Sequence, residues 1–471
     1  MKNLNLKHII TFLVICCITF TSNNNNNNLL SQELMTTSIA NNPKSLFVNP
    51  ALSPAKNNFW NLPILGSFNA KLTNNFSFSD ITDKQNNGDY RINTNKLLNS
   101  LSGDNDFFAG GYSLDIIHLG MAVRENDYIS LSFRNRFSAA GSLPRDLAEL
   151  VLDNPYDKYK TFDISSTFKF IMWNELGLSY SYKFNDNWQL GGRLKYLSGV
   201  INAETEKLSY TIDKYYDYYL LSSDVNLRSN VGSSSSSSNN DWFDPVDFNP
   251  IGYFFSNNFS DAGIGIDVGA KYQTTDKRLT ANASISDLGM IFWNERNSIN
   301  TITLNPNNKL RFEGFGDLEQ TFNSGADFTT LFDSVDTEFK RTIGIAEVED
   351  YSYSSSLPTL FQASGTYSID DKFSHNVSLG FAGRLVMSEK FHYAISAGYH
   401  WFSDSKRWQL LANYTYYGNS ANGFGLGAVY NAKKFQVYVV ANNIVPLFSP
   451  LSSKFIGFDI GICFFNQQIA E

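Results

Sequence analysis

Cysteine is scarce in this chain, with three among 471 residues. Two of them, Cys16 and Cys17, fall inside the N-terminal apolar run. Only Cys463 lies beyond it, so neither an internal disulfide nor a cysteine metal site is expected. The five histidines are His8, His118, His375, His392 and His400. His392 and His400 lie too far apart along one expected strand to share a metal ion. Basic charge is in short supply as well. Lys and Arg total 37 against 45 Asp and Glu, a net charge of −8. Nucleic acid requires a basic footprint, so no such partner is expected. Long apolar runs are missing after the N-terminus: none approaches the ~18 residues of a membrane-spanning helix. There is no phosphate-cradling glycine loop and no nucleophile elbow, so neither a cofactor nor catalysis is expected.

What the chain does have is aromatic side chains, 15% of residues, as 39 Phe, 25 Tyr and 7 Trp. With a mean hydropathy of −0.25, that composition suits a β-rich soluble protein as well as a membrane barrel.

The N-terminus reads as a targeting segment. Lys2 and Lys7 precede the run from Ile9 to Phe20, a basic region followed by a short apolar one. Ser22 and Ser31 are both small enough to precede a cut. Leu13-Val14-Ile15-Cys16 is similar to a lipoprotein box, but Ile15 is bulky where a small residue is wanted. The tract Asn23 to Asn28 is low-complexity. The expected organisation is signal and Asn-rich tract over 1–31, a plug segment over 32–61, a barrel over 62–465 and a tail over 466–471.

Period-2 alternation over segments of ten or more residues is the main signal. Ile456, Phe458, Ile460, Ile462 and Phe464 share one face, and Gly457, Asp459, Gly461 and Cys463 the other. Ile264, Ile266 and Val268 alternate with Gly265, Asp267, Gly269 and Lys271. Trp188, Leu190, Leu194 and Tyr196 alternate with Gln189, Arg193 and Lys195. Phe391, Tyr393 and Ile395 alternate with His392, Ala394 and Ser396, and His400 follows on the same polar face. A soluble sandwich alternates too, but its strands average only ~5–6 residues. Segments twice that length match a tilted bilayer crossing, with lipid on one face and a lumen on the other. Arg193, Lys195, Asp267, Lys271, His392, His400 and Asp459 are therefore expected to face the lumen.

Short polar turns punctuate the pattern: Glu125 to Asp127, Asn185 to Asn187, Thr274 to Lys277, Asp370 to Lys372, Ser403 to Lys406 and Asn431 to Lys434. Each joins two strand-like runs as a hairpin. The hairpins cover 112–139, 173–199, 261–290, 358–387, 390–418 and 423–446. With strands near 62–72 and 453–465, the expectation is an all-β transmembrane antiparallel barrel of about 14 strands, an even number as such barrels require. Connections at 73–111, 140–172, 200–260 and 291–357 are expected as long extracellular loops, which leaves both termini in the periplasm. Within them, 143–152 and 326–340 read as short amphipathic helices. The serine run Ser233 to Ser238 reads as flexible, and the stretch Lys214 to Tyr219 as girdle or loop aromatics.

Ahead of the first strand lies Asn42-Pro43-Lys44-Ser45-Leu46-Phe47-Val48-Asn49-Pro50-Ala51. Its Asn49-Pro50-Ala51 triplet resembles the N-terminal motif of FadL-type fatty-acid transporters and PorV-like barrels. The stretches Gly191 to Gly199, Gly263 to Tyr272 and Ser286 to Gly289 are similar to that group again, and more narrowly to a group of such barrels from Bacteroidetes. The resemblance implies a bacterial outer-membrane barrel with an N-terminal plug, in which Asn49, Pro50 and Ala51 contact plug seat or ligand. On the FadL side it implies passive transport of hydrophobic or amphipathic molecules, with a lateral opening where the third strand kinks. Residues 127–139 depart from that pattern, carrying neither Gly nor Pro. On the PorV side it implies a binding platform for a secreted or periplasmic protein in type IX secretion or surface assembly. Outer-membrane lipid is a partner in both.

Overall fold

The computed structural model describes residues 31–466, apart from 55–57, 62–65, 75, 87, 89, 102–105, 147–148, 150–159, 215–218, 232–260, 295–300, 305–309, 313–346, 350–351, 387–389 and 417–422. The expected helix over 326–340, the serine run and Tyr215 to Tyr218 lie outside the described residues. In the stretch read as a helix over 143–152, Leu143 ends a strand, and Arg145, Asp146 and Glu149 are helical.

The strands form one closed antiparallel barrel of 14 strands. In chain order they are β1 (Phe59–Trp60 and Ser67–Asn74), β2 (Asp106–Ala122), β3 (Asp127–Leu143) and β4 (Lys160–Ser165 and Phe168–Lys183). Next come β5 (Trp188–Lys214), β6 (Tyr219–Val231 and Ala262–Gln273) and β7 (Leu279–Trp293, continued by Thr301–Leu304). β8 comprises Glu347–Glu349, Tyr353–Ser356 and Leu360–Ser368, and β9 is His375–Val386. The remaining strands are β10 (Lys390–Phe402), β11 (Trp408–Tyr416), β12 (Gly423–Asn431), β13 (Phe435–Ala441) and β14 (Phe455–Phe465). Each pairs with its neighbours, and β14 closes on β1 with Ser67 opposite Gly461. Closure leaves no free edge, so the backbone of every spanning strand is paired.

Side-chain exposure decides between soluble core and lipid. Leu194 and Ile264 point outward at 60% and 64% exposure, while their strand neighbours Arg193 and Asp267 are 1% and 0% exposed. Apolar outside and charged inside is the reverse of a soluble protein and the pattern a bilayer demands. The chain is an outer-membrane barrel. At the short-turn end, Trp188 packs on Tyr272 at 4.9 Å and Trp408 on Tyr430 at 4.8 Å, a girdle where polar tips reach headgroups.

All six expected short turns are present at that end. Lys277, Phe373 and Lys406 take positive φ there, at 57°, 53° and 53°, to reverse the chain tightly. The opposite rim differs from expectation. Many of the described residues of 140–172, 200–260 and 291–357 are strand, not loop: β5 runs to Lys214 and pairs with Tyr219–Val231, which in turn pairs with Thr301–Leu304. These strands extend the sheet beyond the long-connection ends of their neighbours. Tyr219–Val231 lacks the regular apolar/polar alternation that marks a spanning strand. Between β1 and β2, the helices α2 (Phe78–Ile81) and α3 (Thr94–Ser100) pack together at this rim.

Four strand pairs among the described residues slip by one residue: β2/β3 between Asp115 and Ile117, β4/β5 beside Trp173, β5/β6 between Asn226 and Leu227, and β6/β7 between Ile266 and Val268. In the last, Ser286 and Asp287 together face Asp267, and Asp287 takes a φ of 61°. A bulge of this kind re-aims a side chain; here it turns Asp287 inward.

Candidate functional site

The N-terminal segment occupies the lumen. Helix α1 (Ser31–Thr36) packs Leu34 with Leu360, Ala382, Ala394 and Phe455, while Met35 and Ile39 pack with Leu411, Val429, Tyr438 and Val440. The chain then forms a 3-10 turn, Pro43–Phe47. Asn42 caps it by accepting from the Lys44 N–H at 2.9 Å, and Pro43 at its first position has no N–H to leave unpaired.

Asn49, Pro50 and Ala51 are seated against the wall. Asn49 Nδ2 donates to the carbonyls of Ala270 and Ala283 at 3.2 and 3.3 Å, and its Oδ1 accepts from the Ala51 N–H at 2.9 Å. Two inward glycines make room. A Cβ at Gly269 would stand 2.0 Å from Asn49 Oδ1, and one at Gly191 would stand 2.3 Å from the Pro50 carbonyl carbon. Further along, Gln189 Nε2 donates to Ser53 Oγ at 2.6 Å. Gln409 and Gln436 bond the backbone of Ser38 and Ala40.

Two side chains tie the turn to the charged wall. Lys44 Nζ meets Asp459 Oδ1 at 2.6 Å, and Thr36 and Tyr438 donate to the same carboxylate at 3.3 and 3.2 Å. Phe47 stacks on His118 with ring centroids 4.4 Å apart, beneath Arg134 at 3.9 Å and Arg193 at 4.8 Å. A desolvated cation over a ring attracts it by about 2 kcal/mol.

Beside Phe47 runs a continuous ion-pair network. Arg134 bonds Asp115 at 2.9 Å and lies 3.4 Å from Glu175. Glu175 also takes Arg193 at 2.6 Å and Arg136 at 3.0 Å. Arg136 grips Asp287 with both terminal nitrogens, at 2.6 and 2.8 Å. Lys195 joins Asp287 at 2.8 Å to Asp267 at 2.5 Å. Four cations thus face four carboxylates, and all of them are buried or nearly so. Single buried charges would cost several kcal/mol each, and the alternation of sign offsets that. The network is formally neutral, and it lines one wall beside the N-terminal segment.

Between plug and wall, toward the long-connection rim, lies a cavity of about 70 Å³. Lys44, Arg134, Arg136, Asp287 and Asp459 line it together with Phe47, Val48, Trp173 and Leu360. It has room for a few waters or one small group, not for an extended chain. A smaller one of about 10 Å³ lies under α1 beside His400.

Of the residues expected to face the lumen, Arg193, Lys195 and Asp267 belong to the network, and Asp459 holds Lys44. Lys271 is half-buried on β6, and His400 is buried with Nε2 3.1 Å from Ser378 Oγ. His392 pairs with Arg384 in the β9/β10 ladder, and its side chain lies outside what is described. The structure adds Lys44, Phe47, Asp115, His118, Arg134, Arg136, Glu175 and Asp287. Charges at alternate strand positions marked several of these, as they marked Arg193 and Lys195. The third strand is continuous: β3 pairs with β4 without a register break from Asp127 to Gly141.

The model of one protein family, described as a family of unknown function (DUF5723), matches residues 50–442. The chain belongs to that family. No curated protein matches this DUF5723 member. Among solved structures it is similar to a FadL homologue of Pseudomonas aeruginosa, with a TM-score of 0.42 and 10% identity over 96% of this chain and 100% of that one. It is similar also to the toluene transporter TbuX of Ralstonia pickettii (TM-score 0.39, 9% identity, 90% and 94% covered). The toluene transporter TodX of P. putida follows at a TM-score of 0.33 and 10% identity, with 91% and 94% covered. The fold described above rests on this chain's own strand pairing, not on these likenesses.

Proposed function

We propose that this barrel passes small hydrophobic or amphipathic molecules across the outer membrane, and that its N-terminal segment is the plug that controls passage. The observation that carries this reading is the cavity bounded by the plug itself. Phe47, Val48, Trp173 and Leu360 offer it an apolar side, and Lys44, Arg134 and Arg136 a charged one. At about 70 Å³ it admits only part of such a molecule, so passage requires the plug to shift. Among the described residues the holds on the segment are noncovalent: the Lys44–Asp459 ion pair, the clamped Phe47 ring, amide contacts, and the apolar packing of Leu34, Met35 and Ile39. In this reading the long connections face outward and the short turns the periplasm, with residues 32–61 as plug. The resemblance carried by Asn49-Pro50-Ala51 points the same way.

Uptake of radiolabelled octanoate and of glucose into proteoliposomes tests it. Octanoate entry above that of protein-free vesicles, faster still after removal of residues 32–54, is the expected result. Equal, background entry of both solutes with and without the plug would end the transport reading.

A further inference from the structure

Helix α4 (Val445–Phe448) caps β13 at the long-connection rim. Leu447 and Phe448 are 73% and 81% exposed, the most exposed large apolar side chains among the described residues. Val445 is exposed beside them.

The surroundings of α4 point to what covers it. Ile444 donates its N–H to the Phe424 carbonyl at 2.9 Å, and Asn442 donates to that of Gly457 at 2.9 Å. These bonds place α4 between the upper ends of β12 and β14. On both flanks the outward apolar face continues to the rim, through Phe424 and Leu426 on β12 and Ile456 and Phe458 on β14. On β13 it does not. Its last strongly exposed apolar side chain is Val439, and Asn442 and Asn443 are buried. The strand has 7 residues, where a tilted crossing takes about 9–11. The apolar belt would therefore be notched above β13, and α4 fills the notch.

The backbone of α4 is suited to a dry setting. Val445 N–H donates to Asn443 Oδ1 at 3.1 Å, Leu447 to the Ile444 carbonyl at 3.0 Å and Ser449 to that of Val445 at 2.8 Å. Pro446 and Pro450 have no N–H at all. In hydrocarbon every backbone donor must find a partner within the protein, and a water-exposed loop is under no such demand.

We propose that α4 is immersed in the membrane leaflet at the long-connection rim, with Val445, Leu447 and Phe448 among its acyl chains. It completes the lipid belt above β13. The occupant is lipid because the patch is continuous with a lipid-facing surface on both sides, and it is independent of what passes through the lumen.

Spin labels at Leu447→Cys and Phe448→Cys in a Cys463→Ser background, in phospholipid vesicles, test this. Controls are Ile460→Cys on the outward face and Asp404→Cys in a short turn. Expected at 447 and 448 is collision with oxygen near the value at 460, and collision with a water-soluble nickel chelate several-fold below that at 404. Chelate collision like that at 404 would overturn the proposal, placing α4 in water. Low collision with both reagents would also overturn it, placing a protein, such as a second copy, over the patch. If the labelled variants do not fold, the native protein can be photolysed with a phospholipid carrying an acyl-chain diazirine. Adducts on 445–448 support the proposal; adducts confined to the barrel strands contradict it.

Discussion

Lys44 and Asp459 meet at 2.6 Å inside the barrel, the one on the N-terminal segment and the other on the last strand, both buried. A buried pair of this kind adds little net stability, but removing one partner leaves a lone charge and costs about 3–5 kcal/mol. Lys44→Met should therefore loosen the plug, while Lys44→Met with Asp459→Leu should recover most of the loss. Hydrogen exchange of residues 34–48 reads this directly. Equal protection in the single and double variants would show that the pair does not hold the plug.

Phe47 should be the strongest apolar anchor of the same segment. Phe47→Ala removes a buried ring, at about 3–5 kcal/mol, along with its contacts to Arg134, Arg193 and His118. Phe47→Tyr keeps the ring and should retain most plug protection. If Ala and Tyr behaved alike, the ring face would not be what seats the turn.

Gly191 and Gly269 should matter to the plug and not to the barrel. Gly191→Val and Gly269→Val place carbons where Pro50 and Asn49 lie. Both variants should keep the heat-modifiable migration of a folded barrel on gels while residues 49–53 become protease-sensitive. Loss of the folded band would place these glycines in barrel assembly instead.

How much of this was legible in the sequence differs by element. The spanning strands were, because Ile264 and Asp267, or Ile460 and Asp459, alternate so plainly, and the short turns carry their polar punctuation. The bulges are not legible there. At two of them the alternation reverses phase: the doublet Ile116-Ile117, and the change from Ile285 to Leu288, Met290 and Phe292 as outward residues. Simple alternation from Ile285 puts Asp287 on the outer face. Arg134, Arg136 and Glu175 stand at alternating positions, but only the packing shows that they converge with Arg193 in one ion-pair network, with Arg134 and Arg193 over the Phe47 ring and Arg136 over that of Trp173. The strand extension Tyr219–Val231 is not legible, because its residues lack a regular apolar/polar alternation.

Asp287→Asn should alter ion selectivity. It removes one of the four carboxylates of a neutral network, leaving Arg136 and Lys195 in excess. The reversal potential of the plug-deleted barrel in a KCl gradient should move toward chloride. An unchanged potential would mean that the network lies off the conducting path.

One short turn offers a pH-dependent case. Burial raises the Asp370 carboxyl, but backbone N–H donation from His375 and Ser374 outweighs it and holds the group below the usual carboxylate range. A depressed value stabilises the fold above the unfolded carboxylate range, near ~4, and the gain fades as pH falls through the folded value. Asp370→Asn should therefore unfold at lower denaturant than the parent at pH 7, with the gap narrowing below that range. A gap constant with pH would contradict the assignment.

The central claim is that the N-terminal segment closes a lumen that is otherwise open, and conductance in planar bilayers tests it most directly. The protein with residues 32–54 in place should show small, intermittent currents. The same protein without residues 32–54 should show a large, steady conductance. Identical traces from the two would contradict the account, leaving the segment as structural filling in a barrel closed by other means.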